Sequence, residues 1–314
     1  MTTRHLVDPE ILPLIDLMPS REFTREDLPT IRAEAEARFA FLGNPPLMAE
    51  VKVIDGPDGP LEVLWFDPAP GTTGRAALLH IHGGGMVIGS ARSMQHNPSG
   101  LAAALGIPVA SVEYRLAPEH PFPTPQEDCF AALTWLAGNA AALGVDPARI
   151  GVIGESAGGG LAAAVALMAR DRGGPALAAQ LLTYPMLDHR TGGADCAYGN
   201  PVTGEFVWTR ALNRFGWDAL RGDYAPTGAH KAWFSPALAD DLAALPPTWI
   251  GTGSLDLFLD EDLDYARRLI AAGVPVELHC YPGAIHAFNA VAESHLAKTF
   301  TRDLLGAAAR LLKL

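Results

Sequence analysis

Ser156 stands at the centre of Gly154-Glu155-Ser156-Ala157-Gly158, a G-x-S-x-G spacing that presents one hydroxyl on a sharp turn. A β-carbon two positions to either side of such a serine would clash, so both glycines have a steric task. A serine hydroxyl is a poor nucleophile at neutral pH. It needs a general base, an acid to orient that base, and hydrogen-bond donors for the charge that develops on the attacked carbonyl. For the donors, His82-Gly83-Gly84-Gly85 closes the run Leu79-His80-Ile81 and matches the HGGG type of oxyanion loop, with the Ala157 N–H completing the set. His80 and His82 also form an H-x-H pair, but no third ligand at suitable spacing supports a metal site. For the base, His286 lies in a loop beyond the last expected strand, in the order Ser, acid, His. His279 falls inside that strand and reads as a packed or edge residue, while His96, His120, His189 and His295 have no comparable position. For the acid, Asp256 follows the strand residues Trp249-Ile250-Gly251-Thr252, whereas Asp260, Glu261, Asp262 and Asp264 enter a helix amino terminus, where carboxylates cap and balance the dipole. Asp188 is the main rival, with a structural hydrogen bond at the root of an insertion as its other reading.

These groups need a scaffold that ends strands near one another. The first 45 or so residues read as helices, one from Asp8 through Leu17 and one opened by Thr24, Glu26 and Asp27 and running through Phe41. Alternating segments at 49–54 and 61–66 flank a Gly/Pro turn and predict a hairpin. Beyond it, strands are expected at 76–81, 108–113, 149–153, 178–184, 247–252 and 274–280. Helices are expected at 99–105, 125–143, 156–170, 260–272 and 294–312. Several strands are continuous apolar runs, the pattern of a parallel sheet covered on both faces. Residues 186–245 interrupt the alternation and are rich in Gly, Pro and aromatic residues (Phe206, Trp208, Phe215, Trp217, Trp233, Phe234), which predicts an insertion over the carboxyl ends of the strands.

Composition narrows the class. The 314 residues are 49% hydrophobic and 18% charged, with a net charge of −12 and no basic cluster, which disfavours nucleic acid and anionic membranes as partners. No apolar run is long enough to span a bilayer, so no membrane insertion is expected. The first ten residues lack the apolar core of a signal peptide. Cys129, Cys196 and Cys280 are dispersed and odd in number, which reads as free thiols in a reducing compartment, hence a cytoplasmic protein.

Taken together, His82-Gly83-Gly84-Gly85, Tyr114-Arg115-Leu116-Ala117-Pro118-Glu119-His120-Pro121-Phe122-Pro123, Gly154-Glu155-Ser156-Ala157-Gly158-Gly159, Asp256 and His286-Ala287-Phe288 resemble the hormone-sensitive lipase family of α/β-hydrolases, in its bacterial HGGG esterase group. The likeness runs from about residue 76 to 290. It implies an α/β fold with an eight-stranded, mostly parallel sheet flanked by helices. Residues 46–185 and 246–314 would form this core, with a helical cap built from residues 1–45 and 186–245. It also implies an oxyanion hole from the second and third glycines, Gly84 and Gly85, with Ala157, supported by His82 and Gly83. The block from Tyr114 to Pro123 has no catalytic meaning derivable from its chemistry. Glu155 stands where many members carry Asp, and Leu257 follows Asp256 where Pro is usual. The expected function is hydrolysis of carboxylic esters of short to medium acyl chain by Ser156, His286 and Asp256, without cofactor or metal. The small-molecule ester is the expected partner, and a homodimer is expected on family grounds alone. The alternatives are a non-catalytic small-molecule receptor, as in gibberellin receptors that lose the histidine, or an acyltransferase or amidase using the same groups.

Overall fold

In a computed structural model, which describes residues 2–18, 20–40 and 44–314, the backbone forms one eight-stranded sheet in the order β1-β2-β4-β3-β5-β6-β7-β8. The strands are β1 (Glu50–Gly56), β2 (Gly59–Phe66), β3 (Arg75–Ile81), β4 (Val109–Val112), β5 (Val145–Glu155), β6 (Ala179–Thr183), β7 (Thr248–Gly253) and β8 (Val276–Tyr281). β2 runs antiparallel to both neighbours, and the rest of the sheet is parallel.

The period of two decides which face each residue serves. Ala77, Leu79 and Ile81 of β3 join one apolar core and Ala76 and Leu78 the other. On β2, Leu61, Val63 and Trp65 face one way and Leu64 and Phe66 the other. Helices α4 (Thr124–Gly138), α5 (Ala157–Asp171) and α8 (Leu259–Ala271) cover the first face. Helices α1 (Leu12–Leu17), α3 (His96–Leu105) and α9 (His295–Leu311) cover the second. Both faces of the central strands are therefore dry, as apolar parallel strands require, while the edge strands β1 and β8 stay partly exposed.

The residues between β6 and β7 form an insertion with more regular structure than its Gly and Pro content predicts. It holds α6 (Arg210–Arg221), α7 (Lys231–Phe234) and a 3-10 turn (Pro236–Leu238). Thr209 caps α6 by accepting the Leu212 N–H, and Leu212, Asn213, Gly216, Trp217 and Leu220 form its buried face. From the amino-terminal part, α2 (Leu28–Ala40) docks through Arg32, which donates to the Val87 and Ala117 carbonyls and pairs with Glu119.

Several boundaries differ from expectation. The first helix begins at Leu12, because the Asp8 carboxylate accepts the Glu10 N–H in a local turn and does not cap the helix. Thr24 and Asp27 bond each other ahead of α2, and the expected end at Phe41 lies outside the described residues. Helix α4 stops at Gly138, where the Asn139 side chain takes the Trp135 carbonyl. β5 starts at Val145, since pairing of Arg75 with Val145 extends it across a register shift. Among the described residues, no helix is long and apolar enough to cross a membrane.

Candidate active site

The nucleophile turn is built by the crossing from β5 to α5. Ser156 is held at φ 56°, ψ −119°, a strained conformation for a residue with a side chain. The flanking glycines permit it. A β-carbon on Gly154 would lie 2.2 Å from the Gly158 carbonyl oxygen, and one on Gly158 would lie 2.0 Å from that of Ile81. Strand β6 braces the turn from the other side. Ser156 N–H donates to the Thr183 carbonyl at 2.9 Å, and the Ser156 carbonyl accepts the Met186 N–H at 2.9 Å. The hydroxyl therefore stands on rigid backbone.

His286 and Asp256 arrive on two loops laced together by main-chain bonds. Ser254 N–H donates to the Tyr281 carbonyl at 2.9 Å and Leu255 N–H to the Ala284 carbonyl at 3.0 Å. Asp256 Oδ2 then lies 2.8 Å from His286 Nδ1, and His286 Nε2 lies 3.0 Å from Ser156 Oγ. The second Asp256 oxygen accepts the Phe258 N–H at 3.0 Å, which fixes the carboxylate plane. All three side chains are buried. The imidazole is packed by the rings of Tyr184 at 4.7 Å, Phe258 at 5.3 Å and Trp208 at 6.3 Å. A base in line between a carboxylate and a hydroxyl can withdraw the hydroxyl proton and return it to a leaving group.

The glycine loop lies beside this line. Gly83 packs against the elbow: a β-carbon there would lie 2.9 Å from the Glu155 carbonyl oxygen and 3.5 Å from the Ser156 β-carbon. Gly84 and Gly85 take φ 109° and 61°, which turns the loop back on itself so that the Gly84 carbonyl accepts the Val87 and Ile88 N–H groups. Ala157 is the first residue of α5, where an N–H has no intrahelical acceptor and the helix dipole favours negative charge. His82 supports the loop from within. Its Nδ1 donates to the Gly83 carbonyl at 2.8 Å, and burial depresses its pKa to about 3, so it is neutral.

Tyr114 explains part of the block whose meaning the sequence withheld. Its ring stacks on His82 at 4.2 Å, and its hydroxyl donates to the His82 carbonyl at 2.9 Å. Farther along the block, Ala117 N–H holds the Met86 carbonyl at 2.9 Å, and Arg115 forms a two-pronged pair with the buried Asp128. The segment is thus a brace for the glycine loop. No local spacing in the sequence encodes that contact.

The departures at Glu155 and Leu257 are also accommodated. The Glu155 carboxylate lies 3.2 Å from Nε2 of His80, whose Nδ1 meets the Ser111 hydroxyl at 2.9 Å, so the longer side chain reaches a buried partner on β3. Leu257 is buried against Gly204 of the insertion.

The remaining candidates lie elsewhere. Asp188 is engaged by Arg190 through both oxygens at the root of the insertion. His279 sits on the edge strand with Glu277 at 2.7 Å and Asp303 at 3.5 Å. Glu261 is more than a first-turn dipole partner. It is buried and accepts the Leu187 and Asp188 N–H groups and the Thr191 hydroxyl, which ties α8 to the insertion. Its carboxyl is pushed well above the usual range by burial and by Asp188. Among the described residues, no group of three or more His, Cys, Asp or Glu side chains could hold a metal ion.

Comparison with known proteins gives the same architecture. The family Abhydrolase_3, described by the α/β hydrolase fold, matches residues 78–290. Carboxylesterase NlhH of Mycobacterium tuberculosis is 39% identical over 298 residues, covering 90% of this chain and 88% of that protein. An arylesterase of Saccharolobus solfataricus is 34% identical over 216 residues, covering 69% of each chain. Among solved structures, a bacterial heroin esterase superposes with a TM-score of 0.90 at 37% identity, covering 99% of both chains.

Proposed function

The chain belongs to the Abhydrolase_3 family of the α/β hydrolase fold, in its hormone-sensitive-lipase-like bacterial esterase group, and from that premise we propose how its site performs ester hydrolysis. The protein is a carboxylesterase. Ser156 Oγ attacks the ester carbonyl while His286 takes its proton. Asp256 holds the imidazole tautomer and stabilises the imidazolium. The N–H groups of Gly84, Gly85 and Ala157 receive the oxyanion, each such donor contributing about 100- to 1000-fold in rate. His286 then protonates the departing alcohol. Water, activated by the same imidazole, releases the acid from the acyl-enzyme.

The observation that carries this assignment is the unbroken line from Asp256 Oδ2 through His286 to Ser156 Oγ, at 2.8 Å and 3.0 Å, beside the glycine loop. The same line disfavours a receptor role on this fold, since the base stands within reach of the nucleophile. Residues 1–45 and 186–245 act together as the roof over the site, a reading supported by the edge-on contacts of Phe23 with Trp208 at 6.3 Å and Phe215 at 5.9 Å. Such an aromatic roof suits esters of short to medium acyl chain. A cytoplasmic location, supported by the three dispersed cysteines, and a homodimeric state complete the proposal.

Release of p-nitrophenol from esters of increasing acyl length tests the reading. Turnover that peaks at short chains and vanishes in Ser156→Ala with the fold intact is the expected result. Ester hydrolysis retained in that variant would overturn the assignment.

A further inference from the structure

Resting on the ester-hydrolase reading, we propose that Trp208, braced by Phe23, is the wall of the subsite that receives the leaving alcohol, and that it sets which alcohol half of an ester is accepted. The reaction itself divides the space around Ser156 into three directions. The oxyanion points at the glycine loop and Ala157. The leaving oxygen must lie within hydrogen-bond reach of His286 Nε2, because that atom returns the proton. The acyl chain takes the remaining direction, away from the imidazole.

Trp208 occupies the second of these. Its six-membered ring lies on the open face of Gly85, where a β-carbon would meet Cη2 at 2.2 Å, and its centroid stands 6.3 Å from the imidazole at a tilt of 36°. It therefore bridges the glycine loop and the base, over the path of the alcohol substituent. Tyr184 and Phe258 also pack on the imidazole, but they come from the end of β6 and from the acid loop. Trp208 is the ring supplied by the insertion.

The wall is fixed. Trp208 Nε1–H donates to Asn213 Oδ1 at 3.2 Å, and Asn213 Nδ2 donates to the Thr191 carbonyl at 2.7 Å. Phe23 meets the indole edge-on and itself rests on Phe215. A rigid boundary discriminates size sharply, since one methylene against a pocket wall changes kcat/KM by roughly 10- to 200-fold.

Two substrate series separate the halves of the ester. Acetates of ethanol, butanol, phenol and 1-naphthol vary the alcohol, and p-nitrophenyl esters from acetate to octanoate vary the acyl chain. In Trp208→Ala, the ratio of kcat/KM for 1-naphthyl acetate to that for ethyl acetate should rise by about tenfold or more. The ranking along the acyl series should hold within about threefold. Phe23→Ala should move the alcohol ratio the same way by less. A shift confined to the acyl series, or an equal fall across both, would overturn the proposal. If Trp208→Ala does not fold, Trp208→Phe must still raise the alcohol ratio, and an unchanged ratio refutes the assignment. Ser156→Ala measured alongside keeps the two questions apart: its residual turnover bears on the enzyme reading, and the series bear on Trp208.

Discussion

Replacing Gly158 with alanine should damage catalysis far more than a methyl group on a buried helix ordinarily does. The new β-carbon would start 2.0 Å from the Ile81 carbonyl oxygen and 2.5 Å from that of His82, both main-chain atoms at the end of β3. Real β-carbon contacts stay beyond 3.0 Å, so the first turn of α5 and the strand leading into the glycine loop must separate by about 1 Å. That movement parts Ser156 and Ala157 from Gly84 and Gly85. A misplacement of about 1 Å in a catalytic constellation costs on the order of 100-fold in rate, and overpacking costs about 1–3 kcal/mol in stability. Steady-state kinetics on p-nitrophenyl acetate, paired with urea unfolding of the same preparations, reads both numbers. Gly100→Ala supplies the control, because that position on α3 has open space around its β-carbon and should gain about 0.5–1 kcal/mol with unchanged turnover. Wild-type kcat and stability in Gly158→Ala would refute the claim that close approach of the elbow to the glycine loop defines this site.

Asp256→Asn should lower kcat by about 10⁴-fold while the protein remains folded, because the amide leaves His286 in the wrong tautomer, and a loss under tenfold in stopped assays would remove Asp256 from the mechanism. Tyr114→Phe keeps the ring on His82 but strips the buried His82 carbonyl of its donor, so chemical denaturation should show a loss of about 1–3 kcal/mol. An unchanged midpoint would mean the brace is unimportant. His82 supplies a pH signature. Its pKa falls from 6.5 to about 3 on burial, so below pH 6.5 the unfolded chain binds a proton that the folded chain refuses. The contribution is complete above pH 6.5 and declines by about 1.4 kcal/mol per pH unit as pH falls toward 3. Stability measured at pH 7.5 and pH 5 should thus differ by about 2 kcal/mol more in the wild type than in His82→Gln, and equal pH slopes would show that His82 titrates normally.

Much of this protein was legible before folding, wherever the information is local. The elbow glycines flank Ser156 by two residues, the glycine loop ends an apolar strand, and the order of Ser156, Asp256 and His286 follows the order in which strands reach one end of the sheet. Continuous apolar runs such as Ala76-Ala77-Leu78-Leu79 announced a sheet covered on both faces for the same reason, since neighbours in a strand serve opposite faces. Tertiary structure decided what depends on distant partners. The helix α6 was hidden by aromatic and glycine content that only makes sense once Gly216 packs on the Gly85 carbonyl. Tyr114 became a brace by meeting His82 across 32 positions, and Glu155 found His80 across 75. Trp208 gained its meaning only when an insertion from beyond β6 laid it between Gly85 and His286, with Phe23 behind it. Motif spacing records the geometry of a single turn or strand; the shape of a pocket is a sum over side chains far apart in sequence, and only packing brings them to one place.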